Sequence, residues 1–186
     1  MEGVFVYGSL ASRAEVGDLL GVEPVDGVHY VPAVLPGWSR DWHVCTDNTT
    51  STAVAYYTPG TDERPPVQVL FLNISPSRDP AARVTGFVIP VTSAHLSRLD
   101  AREANYDRIA VAPLGTAHFD VVWTYVAKPQ QGATARRAIS RGTARIRRAY
   151  LDSVTDAFVS DPAMAAELKA TLPATPVVPL DRRRSR

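Results

Sequence analysis

Two short stretches of the sequence combine residue types that can bind an anion and move a proton. The first is Tyr7-Gly8-Ser9-Leu10, which directly follows an apolar, β-prone run, Val4-Phe5-Val6. A strand that ends at a glycine and turns towards a helix leaves successive backbone N–H groups free for a carboxylate or a phosphate. Gly8 would also let a ligand approach the backbone closely. From spacing alone, an ordinary strand-to-helix turn is the competing interpretation.

The second stretch is Leu-Asp-Ala-Arg-Glu-Ala-Asn-Tyr over residues 99–106, at the end of a short predicted helix. Asp100 and Glu103 are three residues apart, so on a helix they share one face. A carboxylate that ends an element beside a cavity can serve as a general base. A solvated, charged helix end is the alternative that the spacing leaves open.

A third group contains His43 and Cys45, which would share one face of a strand. A metal site needs three or four ligands, and Cys45 is the only cysteine, so we predict no metal site. A Cys–His nucleophilic pair is conceivable, but packing in the core is the favoured interpretation.

Arginines cluster between residues 136 and 148. Read as one helix, this segment places Arg137, Arg141 and Arg145 on a common face at four-residue spacing. No interleaved aromatic residues offer base stacking, and the net charge of the chain is only +1. We therefore favour a solvated helical face and predict no nucleic-acid partner.

The elements that must position these residues are short strands followed by helices. Strand-like runs between turn-rich segments fill the first two thirds, and helical patterns dominate the last third. Helix starts are predicted at Ser12, at Thr92 or Ser93, and at Asp161, with a further helix over Gly142–Ser160. This order predicts an α+β fold with a mainly antiparallel sheet, closed into a small barrel with flanking helices and extra C-terminal helices.

Composition limits the class of protein. The chain has 186 residues, 45% of them hydrophobic and 21% charged, which excludes disorder as the main state and indicates a globular protein. We expect a single domain over residues 1–172, with a helical extension from about residue 132 and a flexible Pro/Arg tail over 173–186. No apolar run approaches the ~18 residues that span a membrane, so no membrane association is expected.

The start of the sequence and its choice of basic residues indicate a cellular location and a type of organism. Glu2 follows Met1, and no secretory signal is seen, so a cytoplasmic location is expected. Only Lys128 and Lys169 are lysines among 20 basic residues, a bias that is typical of high-GC bacterial genes.

The motifs, taken together and in order, resemble the γ-glutamylcyclotransferase-like family, which includes the plant AIG2-like proteins. The resemblance rests on Val4-Phe5-Val6-Tyr7-Gly8-Ser9-Leu10, and on Gly86-Phe87-Val88-Ile89 followed by residues 99–106. Trp123-Thr124-Tyr125 falls where the family has a later tyrosine strand. The resemblance covers about residues 3–127 and implies a small β-barrel that encloses a substrate cavity.

The same resemblance implies an activity and a set of site residues. The family closes a γ-glutamyl group to 5-oxoproline and releases an amine or amino acid, so a small-molecule γ-glutamyl substrate is implied. Carried over, Tyr7, Gly8, Ser9 and Leu10 line the substrate pocket, Glu103 is the general base, and Tyr125 lines the pocket. No metal or cofactor is implied, because the α-amine of the substrate is itself the nucleophile. A non-catalytic module that binds a small acidic ligand in the same pocket is the alternative.

Overall fold

The computed structural model describes residues 1–184 and contains strands in three sheets. The strands are β1 (Glu2–Val6), β2 (Val31–Pro36), β3 (Trp38–Asp47), β4 (Val54–Tyr57), β5 (Gln68–Pro76), β6 (Arg83–Val91), β7 (Tyr106–Val111), β8 (Val121–Ala127), β9 (Ala144–Arg147), β10 (Val177–Val178) and β11 (Asp181–Arg184). The helices are a 3-10 turn (Ser9–Ala11), α1 (Arg13–Leu20), α2 (Ser93–Arg102), α3 (Pro129–Ser140), α4 (Arg148–Phe158) and α5 (Pro162–Ala170).

Strand β1 lies in the middle of a five-stranded sheet of order β2-β6-β1-β8-β7. It pairs antiparallel with β6 and parallel with β8. Val4, Phe5 and Val6 are buried, as expected of a central strand that is covered on both faces. The chain leaves this strand at Tyr7, so the first motif is attached to the most enclosed part of the sheet.

A four-stranded sheet of order β10-β9-β5-β3 forms the second layer. Strands β3 and β5 pair antiparallel, but their register shifts between Asp41 and Val44, so that two residues of β3 oppose the single residue Leu72. Such a bulge leaves backbone groups without partners in the ladder. Buried side chains from both larger sheets and from α4 share one core; its members include Phe5, Leu35, Leu70, Ile74, Ile146 and Phe158.

The α+β class and the mainly antiparallel pairing are confirmed, whereas closure into a barrel is not. The pairings among residues 1–184 form open sheets of five, four and two strands. Where β8 approaches β5, the contact is a side-chain bond, with the Ala127 N–H donating to Asn73 Oδ1 at 2.7 Å. Alternating polarity predicts that strands exist, but it does not determine whether two sheet edges meet.

Three predicted helix starts are confirmed by their caps. The Ser12 hydroxyl accepts from the backbone N–H of Glu15, and Thr92 caps α2 in the same way. Asp161 caps α5, in which Pro162 occupies the first position. Each cap satisfies backbone donors that the first turn of a helix leaves free.

The prediction of one helix over Gly142–Ser160 is wrong for its first part. Helix α3 ends before Gly142, whose φ of 68° lies in the left-handed region that favours glycine. Strand β9 then pairs with β5 before α4 begins. Arg137, Arg141 and Arg145 therefore belong to a helix, its C-cap and a strand, and they do not share one helical face.

The structure also differs from the predicted flexible tail. Strand β11 pairs antiparallel with β4, and β10 pairs with β9. Leu180 is buried in a small second core with Tyr56, Val67 and Val69. This apolar residue between the two strands anchors a segment whose arginines had indicated a solvated end. Residues 185 and 186 of the predicted tail lie outside the described residues.

Candidate active site

An open cleft of about 900 Å³ brings the two sequence motifs together. Ser9 and Leu10 enter it from the turn after β1, and Glu103 enters it from the end of α2. The volume is in the range of small-molecule sites. Further lining residues come from β7, β9, α4 and β11, and they include Tyr106, Arg147, Tyr150 and Arg182.

The turn after β1 leaves backbone donors unused. Residues Ser9–Ala11 form a 3-10 turn in which the Ala11 N–H donates to the Gly8 carbonyl at 2.9 Å. Within residues 1–184, no protein group accepts from the backbone N–H of Gly8, Ser9 or Leu10. Since Ser9 and Leu10 lie in the cleft wall, this turn can bind a carboxylate through its main chain.

Tyr7 and Tyr125 support this turn from within the sheet. The Tyr7 hydroxyl donates to the backbone oxygen of Tyr125 at 2.6 Å, and burial raises the pKa of Tyr7 well above its usual value. The Tyr125 hydroxyl donates to Asp100 Oδ1 at 2.8 Å, and Arg108 Nε lies 3.3 Å from the same oxygen. Among the described residues, Tyr7, Gly8 and Tyr125 are not part of the cleft wall. Tyr7 and Tyr125 are therefore in a position to hold the turn rather than to contact a ligand.

Glu103 is the C-cap residue of α2, and its side chain is 15% exposed. Arg102 Nε lies 3.1 Å from Glu103 Oε1, and Arg102 also pairs with Glu15. Burial raises the pKa of Glu103 above its usual value, and the charge of Arg102 opposes this rise. A partly buried carboxylate with a raised pKa is suited to take up a proton near neutral pH.

Two further tyrosines join the sheet to the cleft. The Tyr150 hydroxyl accepts from the Leu72 N–H at 3.1 Å, and the nearby Ser9 side chain acts to lower its pKa. The Tyr106 hydroxyl donates to the Leu72 carbonyl at 2.9 Å. Burial raises the pKa of both phenols, so both are neutral and act as fixed hydrogen-bonding groups.

The family model described as gamma-glutamyl cyclotransferase, AIG2-like, matches residues 4–143, which contain both motifs. The chain belongs to the γ-glutamyl cyclotransferase, AIG2-like family. The family resemblance of the sequence is thus confirmed.

Solved structures share the fold of this AIG2-like chain at low sequence identity. YkqA from Bacillus subtilis superposes with a TM-score of 0.62 at 15% identity, covering 95% of this chain and 55% of YkqA. The chain therefore spans about half the length of that relative. An uncharacterised protein from Homo sapiens has a TM-score of 0.58 at 16% identity, with 92% and 88% of the two chains covered.

A third solved structure has an enzyme name. A gamma-glutamyl cyclotransferase superposes with a TM-score of 0.56 at 15% identity, with 92% of this chain and 88% of that chain covered. No curated protein matches the chain. Among residues 1–184, no helix is long and apolar enough to cross a membrane.

Several residues of the AIG2-like cleft were missed by sequence reasoning. Tyr150 falls into the four-residue spacing of Ile146, Val154 and Phe158, which indicates only an apolar helix face. Arg147 and Arg182 lie in segments for which the sequence predicts a solvated helix and a flexible tail. Tyr106 belongs to the second motif, but only its contact with Leu72 gives it a role.

The His43 and Cys45 group does not form a reactive pair. Burial raises the pKa of Cys45 to about 11, so its thiol stays protonated at neutral pH. His43 Nδ1 instead lies 3.3 Å from Asp41 Oδ1. Packing in the core, the favoured interpretation of Cys45, agrees with its burial.

Proposed function

We propose that this AIG2-like protein cyclises a γ-glutamyl group to 5-oxoproline and releases an amine or an amino acid. The observation that supports the proposal is the shared cleft of Glu103 and the Ser9–Leu10 turn. One wall offers a carboxylate with a raised pKa, and the other offers unused backbone N–H groups. A γ-glutamyl group has an ammonium and a carboxylate on the same carbon, so it complements both walls.

The proposed reaction needs one proton acceptor and no protein nucleophile. Glu103 takes a proton from the α-ammonium, and the freed nitrogen lone pair attacks the γ-carbonyl carbon. The new C–N bond closes a five-membered ring and gives a tetrahedral intermediate. When this intermediate collapses, the bond to the leaving nitrogen breaks, and the proton held by Glu103 passes to that nitrogen. The ring nitrogen gives up its second proton, again through Glu103, to the released amine, so that the products are a lactam N–H and an ammonium ion. Glu103 thereby returns to its starting state.

The backbone turn has the role of positioning the substrate. Its N–H groups bind the α-carboxylate, which holds the α-amine towards Glu103. Ring closure is favourable once the γ-glutamyl chain is folded back, so the cleft accelerates the reaction mainly by binding that conformer. The neutral hydroxyls of Tyr106 and Tyr150 bond to the main chain of Leu72, which keeps this wall fixed.

A product assay tests the proposal. The purified protein is incubated with a panel of γ-glutamyl amino acids and γ-glutamyl amines, and 5-oxoproline is measured. We expect release from at least one compound, with release of its amine in equal amount. A protein that binds γ-glutamyl compounds in calorimetry but forms no 5-oxoproline from any of them would be a binding module instead.

A further inference from the structure

Two arginines from the last third of the chain line the same cleft as Glu103. Arg147 ends β9, and Arg182 belongs to β11, where it pairs with Tyr56 of β4. Directly opposed residues of an antiparallel pair place their side chains on the same face of the sheet. Arg182 and Tyr56 accordingly both lie in the cleft wall.

These two guanidinium groups lack anionic partners. Among residues 1–184, neither side chain has a carboxylate oxygen within 4.0 Å or a hydrogen-bond acceptor, and the Nε atom of Arg147 is buried without a partner. Other arginines are paired: Arg183 lies 2.6 Å from Asp62, and Arg108 lies 3.3 Å from Asp100. The other two arginines of the cleft wall also have partners, since Arg102 pairs with Glu15 and Glu103, and Arg98 donates to the backbone oxygens of Asp18 and Leu19.

The two charges also act on one another and on the site. Burial lowers the pKa of Arg147, and the like charge of Arg182 lowers it further. Burial raises the pKa of Tyr56, and both guanidinium groups oppose this rise. The field of Arg182 reaches Glu103, whose pKa it lowers. Two neighbouring cations without a carboxylate between them are unfavourable alone, and an anion bound by both would relieve the repulsion.

We propose that Arg147 and Arg182 bind an acidic group on the part of the substrate that is released. This inference rests on the proposed function, because it extends the substrate beyond its γ-glutamyl end. The Ser9–Leu10 turn takes the α-carboxylate, and Glu103 faces the α-amine. The leaving group then extends along the cleft, where the two guanidinium groups supply donors for a carboxylate or a phosphate.

A matched set of substrates tests this site. γ-Glutamylalanine and γ-glutamylethylamide differ only in the carboxylate of the leaving group, and γ-glutamylphosphoethanolamine offers a phosphate instead. For the wild type, we expect kcat/KM to be at least about tenfold higher for one of the acidic substrates than for the neutral amide. Which acidic substrate is preferred identifies the anion. The Arg147→Gln/Arg182→Gln double variant should lose most of that ratio.

The ratio of kcat/KM between the acidic and neutral substrates separates recognition of the acidic group from other effects of the substitutions. Loss of the Arg182 charge also changes the field at Glu103, but that change affects all three substrates alike. Arg183→Gln is the control, because Arg183 points away from the cleft and packs on the Tyr57 ring at 4.2 Å. We expect this variant to keep the wild-type preference. Thermal melting shows whether each variant is folded.

The outcomes distinguish this inference from the proposed function. Equal kcat/KM values for all three substrates in the wild type, or an unchanged preference in the double variant, would overturn the arginine site and leave the cyclisation standing. If no compound yields 5-oxoproline, the proposed function fails. Calorimetric binding of the same compounds then decides the arginine site, since equal affinities for acidic and neutral compounds would refute it.

Discussion

The Tyr150 phenol oxygen lies 3.1 Å from the backbone nitrogen of Leu72. The register shift between β3 and β5 leaves Leu72 without a regular partner in the ladder, and tyrosine hydroxyls bond to its N–H and to its carbonyl. Because both tyrosines line the cleft, their hydroxyls connect this irregular position of the sheet to the cleft wall. The Tyr150 hydroxyl also lies beside the proposed carboxylate-binding turn, since a Cβ atom at Gly8 would be 3.7 Å from it and the Ser9 side chain acts to lower its pKa.

Tyr150→Phe should destabilise the protein. The substitution leaves the buried Leu72 N–H without an acceptor, which costs about 1–3 kcal/mol. Urea unfolding measures the loss directly. Tyr106→Phe is the matched control, since it removes a donor from the Leu72 carbonyl, and an unpaired carbonyl is tolerated better than an unpaired N–H. If Tyr150→Phe is as stable as the wild type, the Leu72 N–H is satisfied in another way.

The raised pKa of Glu103 predicts the direction of the pH dependence of activity. The base must be ionised, so kcat/KM should rise as pH increases through the raised pKa of the free protein and then level off. Burial is the main cause of the shift. The residual rate of Glu103→Gln should lack this rise. A wild-type rate that falls with pH across the same window would contradict a carboxylate base.

The same shift predicts a pH-dependent stability difference. Because the pKa of Glu103 is higher in the folded than in the unfolded state, its stabilising contribution is complete below the unfolded value of ~4.3. That contribution is lost as pH rises through the folded pKa. The Tm of Glu103→Gln relative to wild type should therefore be higher at pH 7 than at pH 4. A Tm difference that does not change with pH would show that ionisation of Glu103 is not penalised in the fold.

Gly86→Ala should lower the Tm, because a Cβ atom there would lie 2.4 Å from the backbone oxygen of Val6 and 3.0 Å from the Phe5 ring. Backbone cannot move aside cheaply in a packed sheet, and overpacking costs ~1–3 kcal/mol. Gly8→Ala is the control for stability, since its Cβ would be 3.6 Å from the nearest atom, on Leu72. Equal melting of Gly86→Ala and wild type would mean that β1 and β6 are less tightly packed than the structure indicates.

Truncation after Leu172 should destabilise the protein, although the sequence alone predicts a flexible tail there. The truncation removes Leu180 from the second core and leaves β4 without its partner strand. Burial of one leucine is worth ~1.5–3 kcal/mol, and loss of β11 adds to this. Leu180→Ala should give a smaller loss. Unchanged melting of the truncated protein would show that the segment does not dock.

Local signals predicted the parts of the fold that depend on neighbouring residues. Ser12, Thr92 and Asp161 cap helices because each serves N–H groups within three residues of itself. Long-range pairing could not be predicted in this way. Residues 144–147 form a strand because they pair with β5, and residues 181–184 form a strand because they pair with β4.

The residues of the candidate site also fall into two groups, those predicted by local motifs and those that depend on long-range contacts. The Tyr7–Leu10 turn and Glu103 follow from ordered motifs that the sequence displays. The roles of Tyr150 and Arg182 depend on elements that meet the cleft only after folding, and their local patterns indicate a helix face and a solvated end. Tyr125 was expected in the pocket, and in the described part of the chain its hydroxyl bonds Asp100 behind the wall.

The most direct test of the account compares Glu103→Gln with wild type in 5-oxoproline release from one γ-glutamyl substrate. The amide keeps the shape of the side chain but cannot accept the proton, and general-base catalysis contributes ~10²–10⁴-fold. Asp100→Asn is the control, because Asp100 bonds Tyr125 and Arg108 rather than lining the cleft, so much of its turnover should remain. We predict a loss of about 100-fold or more in folded Glu103→Gln. Retention of more than about a tenth of wild-type turnover, well above that range, would contradict Glu103 as the base.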